Sequence, residues 1–127
     1  FLLYKHRGSE DLLVVEGLLD ALLVDRIGLQ PVAGIGKSGL SAGQCDTIAS
    51  YGTARCILCV GSGRERKDLM LRAAGLVESR GMQAAFLPLG DKYEDLDHFI
   101  RATELKDFRR LLKKACDREE FMRGYMT

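Results

Sequence analysis

The chain has no tryptophan, and only two prolines and two histidines, in 127 residues. His6 and His98 are too few and too far apart in sequence to argue for a zinc cluster, and no Ser/His/Asp or Cys/His arrangement for nucleophilic catalysis stands out. No apolar run approaches ~18 residues, which excludes a membrane-spanning helix, and no signal-peptide pattern opens the chain. Charge of one sign is missing as well. Nineteen basic residues face eighteen acidic ones for a net charge of +1, so any contact with nucleic acid must come from a local patch. Cysteines number four: Cys45, Cys56, Cys59 and Cys116. Cys56 and Cys59 have CxxC spacing but lie in Ala54–Val60, which reads as a buried strand. Residues i and i+3 of a strand point to opposite faces, so the two sulfurs cannot share a metal and are expected to pack in the core. Cysteine usage of this kind points to a reducing cytoplasm.

Hydrophobic content of 46% is enough for one real core, and the chain fits a single domain. It begins at Phe1 without a Met, in an apolar segment, and reads as a domain of a longer protein. The organising stretch is Leu12-Leu13-Val14-Val15-Glu16-Gly17-Leu18-Leu19-Asp20. Four apolar residues predict a strand buried on both faces, and helical spacing starts at Leu18. An acid at the end of a buried strand belongs at the rim of an open sheet, where α/β folds bind ligands. Asp20 follows Glu16 by one helical turn, so both carboxylates can face the same crevice.

Further along, Phe1–Lys5 is a candidate edge strand and His6–Glu10 a polar turn. A helix over Leu18–Ile27 stops at Gly28, and Pro31–Ile35 is a short strand. Ser41 is a helix N-cap for Ala42 to about Tyr51. After the strand Ala54–Val60 and the loop Gly61-Ser62-Gly63 comes a helix from Arg64 to Arg80, with Leu69, Ala73, Leu76 and Val77 facing inward. Met82–Leu87 is the fourth strand, and an acidic loop, Gly90–Asp97, leads to a short segment around Phe99. One last helix from Glu104 places Leu105, Phe108, Leu112 and Ala115 at core spacing. Strands alternating with helices predict a four-stranded parallel sheet with right-handed crossovers, sandwiched by helices. The domain is expected over 1–103, with 104–127 a C-terminal helical extension packed on it or following it.

Three stretches in order carry a family resemblance. They are Val15-Glu16-Gly17-Leu18-Leu19-Asp20, the Gly-containing loop after the second strand, and Leu71-Arg72-Ala73-Ala74. Leu87-Pro88-Leu89-Gly90 and Asp95-Leu96-Asp97-His98-Phe99 follow in the matching places. Over roughly residues 10–102 the chain resembles the Toprim domain of bacterial replicative (DnaG-type) DNA primases, with relatives in topoisomerases, small nucleases and helicase-primases. The resemblance implies a Rossmann-like α/β fold and DNA replication in the cytoplasm. It also implies DNA, RNA or nucleotide as ligand, and partner domains within a larger replication protein. Glu16 and Asp20 stand at its catalytic positions. Its Mg²⁺-binding Asp-x-Asp, counted back from Leu71-Arg72-Ala73-Ala74, falls on Gly61-Ser62-Gly63, where both aspartates are absent.

Magnesium needs hard oxygen ligands in tight geometry, which Gly and Ser do not supply as carboxylates. Arg64-Glu65-Arg66-Lys67-Asp68 follows instead. Lys37, Arg64, Arg66 and Lys67 around the rim outweigh Glu16 and Asp20, so the expected site leans toward an anion, with exposed helix N–H groups after Gly39 and Gly63 suited to phosphate. The expected function is a Toprim module that holds nucleic acid, phosphate or a protein partner with an impaired metal site. The alternative is a working Mg²⁺-dependent primase or nuclease-type enzyme with relocated ligands, Glu16 with Asp95 and Asp97 holding one weak Mg²⁺. Gly36-Lys37-Ser38 imitates a P-loop, but Pro31 stands where its first glycine belongs.

Overall fold

Burial along the first strand sets the architecture. The computed structural model describes residues 11–28, 32–36, 39–61, 63–90, 92–93 and 95–126, the side chains of 118 and 124–126 excepted. In β1 (Asp11–Val15), Leu12 and Val14 point into one apolar cluster and Leu13 and Val15 into another, all four buried. A strand covered on both faces needs helical layers above and below. The chain supplies them as α1 (Leu18–Ile27), β2 (Val32–Gly34), α2 (Ala42–Ser50), β3 (Arg55–Val60), α3 (Arg64–Ser79), β4 (Gln83–Pro88), α4 (Leu96–Ala102), α5 (Leu105–Lys113) and α6 (Arg118–Met126).

All strand pairings are parallel, in the order β2-β1-β3-β4. Leu13 lies opposite Val32 on one side and Ile57 on the other, so β1 is the strand from which the order runs both ways. Helices α2, α3 and α6 cover the face of Leu12 and Val14 through Ile48, Met70, Val77 and Phe121. Helices α1, α4 and α5 cover the other face through Val24, Leu96, Phe99 and Phe108. The C-terminal sheet edge is drawn together by backbone bonds from Ile35 N–H to Val15 O (3.0 Å), Gly36 N–H to Glu16 O (2.9 Å) and Leu89 N–H to Val60 O (3.0 Å). At the opposite edge Arg55 grips the Asp11 carboxylate with two nitrogens, at 3.2 and 3.3 Å.

The expected elements are present with adjusted limits. Ser41 caps α2 through a reciprocal capping box with Gln44. Cys56 and Cys59 face opposite layers, as strand geometry requires. The candidate edge strand Phe1–Lys5, the polar turn up to Glu10, and Pro31, Lys37, Ser38 and Ser62 lie outside the described residues.

Three expectations are corrected. The inward line of α3 runs through Met70, Ala73, Ala74 and Val77, while Leu69 is half-buried and lies over Gly39. Leu105 is 48% exposed, because the core direction of α5 passes between Phe108 and Leu111 and leaves the first helical residue at the margin. The single last helix is two helices. After α5, Cys116 pairs with Phe86 in an antiparallel bridge (2.7 and 2.8 Å) before α6 begins. Strand β4 is an edge strand whose outward backbone groups need partners, and this bridge supplies two of them.

Candidate functional site

Glu16 follows β1 directly and Gly17 is the N-cap of α1, so this turn puts Glu16 at the C-terminal sheet edge and Asp20 one helical turn further on. Strand β1 lies between β2 and β3, so this turn sits at the point where strand order reverses, the usual ligand crevice of an open α/β sheet. A side chain at Gly17 would displace the Asp20 carboxylate. A Cβ at this position would lie 2.9 Å from Asp20 Oδ2, inside the limit that real Cβ atoms respect.

Asp20 is only 5% exposed. Its Oδ1 accepts a hydrogen bond from the Asp97 backbone N–H at 2.7 Å, which ties α1 to the first turn of α4 across 77 positions of sequence. Burial pushes its carboxyl up from 3.8 to about 6. The negative charges of Asp95 and Asp97 push the same way, while the N–H groups of Asp97 and Gly17 pull it down. Asp95 caps α4, its Oδ1 accepting from His98 N–H at 2.8 Å, and Asp97 Oδ1 receives Arg101 Nε at 2.6 Å. Cys59, near the end of β3, is the floor of this group. Burial pushes its thiol far up, and the charges of Asp20, Asp95 and Glu16 add to that.

Glu16 is turned the other way. Its Oε2 lies 3.7 Å from Nε of Arg66, in the first turn of α3. Arg66 is thus brought to the acid that it was expected merely to outnumber. Gly63 is the N-cap of α3, with a φ of 98° that suits glycine, and it has no side chain with which to cap the helix. Arg64 and Lys67 lie on that same turn, whereas Lys37 is outside the described residues. Gly61 and Gly63 bring no oxygen side chain, Glu16 faces a guanidinium, Asp97 is bound to Arg101, and among the described residues no three His, Cys, Asp or Glu side chains are grouped to hold a metal.

Two features of the site had no signal in the chain order. The Asp20–Asp97 bond joins residues too far apart for any spacing rule. The Glu16–Arg66 pair depends on β1 and β3 being neighbours, which four strands alone do not dictate. The Arg-rich start of α3 was the only available hint.

No protein-family model matches the chain, and no curated protein sequence does. Solved structures do. A DNA primase domain from Pseudomonas aeruginosa superposes with a TM-score of 0.79 at 21% identity, covering 97% of this chain and 39% of that one. The E. coli primase catalytic core gives 0.78 at 22% identity over 98% and 40%. A DnaG primase catalytic domain bound to ssDNA gives 0.75 at 22% identity over 90% and 37%. The chain spans about two fifths of the length of these structures. At such identities the likeness speaks for fold, and the shared part is the parallel sheet with its helices. The chain therefore has the Toprim-like α/β fold found in DnaG-type primase catalytic cores.

Proposed function

We propose that the chain is the Toprim module of a primase-like DNA replication protein in which the metal site is impaired and the C-terminal sheet edge holds a nucleic-acid backbone or phosphate directly. The observation that carries this reading is the Glu16–Arg66 contact beside a β3–α3 loop without carboxylates. A cation of the protein stands against the acid that would otherwise anchor Mg²⁺. The N-terminal end of α3, with Arg64, Arg66 and Lys67 on its first turns, brings the helix dipole and positive charge to the edge, which suits phosphate. Primase catalytic domains of this fold include one solved with single-stranded DNA, which supports nucleic acid as the ligand class. Glu16, Asp20, Asp95 and Asp97 on this reading shape and tune the crevice rather than bind two metals.

The test is single-stranded oligonucleotide binding at low salt by the wild-type chain and by the Lys37→Gln/Arg64→Gln variant, combined with a magnesium titration of the wild type and Glu16→Gln. The expected result is binding that weakens about tenfold in the charge-removed variant, with the same magnesium response in wild type and Glu16→Gln. A saturable magnesium signal that vanishes in Glu16→Gln would overturn the impaired-site reading in favour of a metal-dependent primase or nuclease.

A further inference from the structure

Helix α5 was legible in the sequence through its apolar residues, and its other side carries the observation of interest. Five of the nineteen Lys and Arg residues fall within positions 106–114. Successive helix residues turn by about 100°, which puts Arg109, Lys113, Lys106, Arg110 and Lys114 in that angular order within an arc of about 140°. All five are exposed, while Phe108 and Leu111 are buried on the opposite side. Lys106 meets Glu104 at 3.3 Å. Among the described residues the other four have no carboxylate within ion-pair distance. In a chain of net charge +1 this is a concentrated field.

The arc borders a cavity of about 380 Å³ between α4 and α5. Tyr93, Phe99 and Thr103 line one side, and Asp107, Arg110 and Lys114 the other. The rings of Tyr93 and Phe99 meet edge to face, with centroids 4.9 Å apart. Asp107 puts one negative charge in this lining, its Oδ2 accepting from the Glu104 N–H at 2.9 Å in the cap of α5, and Arg110 and Lys114 leave the lining net positive. The cavity falls within the range of about 300–1,000 Å³ that holds small organic ligands. Helix α4 is its shared wall with the crevice described above: Asp97 in its first turn holds Asp20, and Phe99 two residues on lines the cavity.

We infer that the α4–α5 cavity binds a nucleoside phosphate, with the base at the Tyr93–Phe99 end and the phosphate on Arg110 and Lys114. Lys106, Arg109 and Lys113 continue as a track for neighbouring phosphates. Two cations one helical turn apart suit phosphate, aromatic rings suit any base, and the combination is the general device for gripping single strands without reading sequence. The continuing track makes the ligand one link of a single strand rather than a free nucleotide. This assignment rests on the nucleic-acid reading above and extends it to residues outside the sheet edge.

The experiment uses a labelled oligo(dT) strand, followed by anisotropy across a salt series, with AMP as competitor. Three chains are compared: wild type, Arg110→Gln/Lys114→Gln, and the charge-keeping Arg110→Lys/Lys114→Arg. Thermal melts by circular dichroism confirm that each is folded. The expected result is affinity about tenfold weaker for the Gln pair, a log–log salt slope smaller by about 1.4, and near-wild-type binding for the charge-keeping pair. AMP binding that the Gln pair loses, with strand affinity equal in the Gln pair and wild type, would make the ligand a free nucleotide and overturn the single-strand assignment. Wild-type binding with unchanged affinity and slope in the Gln pair overturns the inference and leaves the sheet-edge reading standing. A wild-type chain that binds neither strand nor AMP overturns both.

Discussion

Asp20 concentrates the physics of the site in one side chain. It is buried, accepts a backbone N–H, and is held protonated up to about pH 6. Between pH 3.8 and about 6 the folded chain keeps a proton that the unfolded chain has released. Stability from this group is therefore present below 3.8, declines as pH rises to about 6, and is flat above that. Asp20→Asn retains an oxygen for the Asp97 N–H and removes the charge. The variant is expected to gain stability relative to wild type as pH rises from 4 to 7, read as the difference in urea midpoints. An equal difference at both ends would mean that burial does not raise this carboxyl. Glu16 and Asp20 were legible as a pair from their spacing. Their divergence, one toward Arg66 and one toward α4, was not, because side-chain direction is set by neighbours that the local chain does not contain.

At the scale of elements, the β3–α3 connection is the informative one. Gly61-Ser62-Gly63 has no carboxylate and leads into a cationic helix start. Gly63 adopts φ 98°, ψ 146°, a backbone region that a side chain resists. The backbone entering α3 at Gly63 therefore depends on glycine. Gly63→Ala is expected to cost ~1–2 kcal/mol in urea denaturation, although nothing within 4 Å obstructs the added methyl group. A neutral substitution would mean that the loop readily takes another shape. The helices and strands themselves were readable from periodicity and caps, and their limits moved by a residue or two. Helix α3 shifted its inward line from Leu69 to Met70 because Gly39 of a distant loop sits against Leu69. That partner is 30 positions away.

For the molecule as a whole, three helices on each face make a closed α/β sandwich, and the last 24 residues supply one helix to each side. Phe108 of α5 is buried beside Phe99 in one layer. Phe121 of α6 stacks on Phe86 of β4 in the other, with centroids 4.5 Å apart and planes 6° from parallel. Positions 104–127 are accordingly proposed to fold with the sheet as one unit. Phe121→Ala is expected to cost ~3–5 kcal/mol and to lower a single urea transition without splitting it. A separate early transition would make those residues an appendage. The net charge of +1 hides an uneven distribution, acids at the α1–α4 end of the crevice and cations on α3 and α5.

Sequence by itself determined the class of fold, because β1 is apolar at four consecutive positions and can be satisfied only between helical layers. It also determined that CxxC cannot chelate, since a strand turns its residues alternately. That Gly61-Ser62-Gly63 carries no carboxylate is likewise a fact of the sequence alone. Tertiary structure alone decided which acids converge on Cys59, which cation faces Glu16, and that Asp20 is latched by Asp97. Those contacts come from strand order and crossover, which bring residues 36 or more positions apart to one edge. Spacing rules act over a few residues, whereas charge and burial act through space.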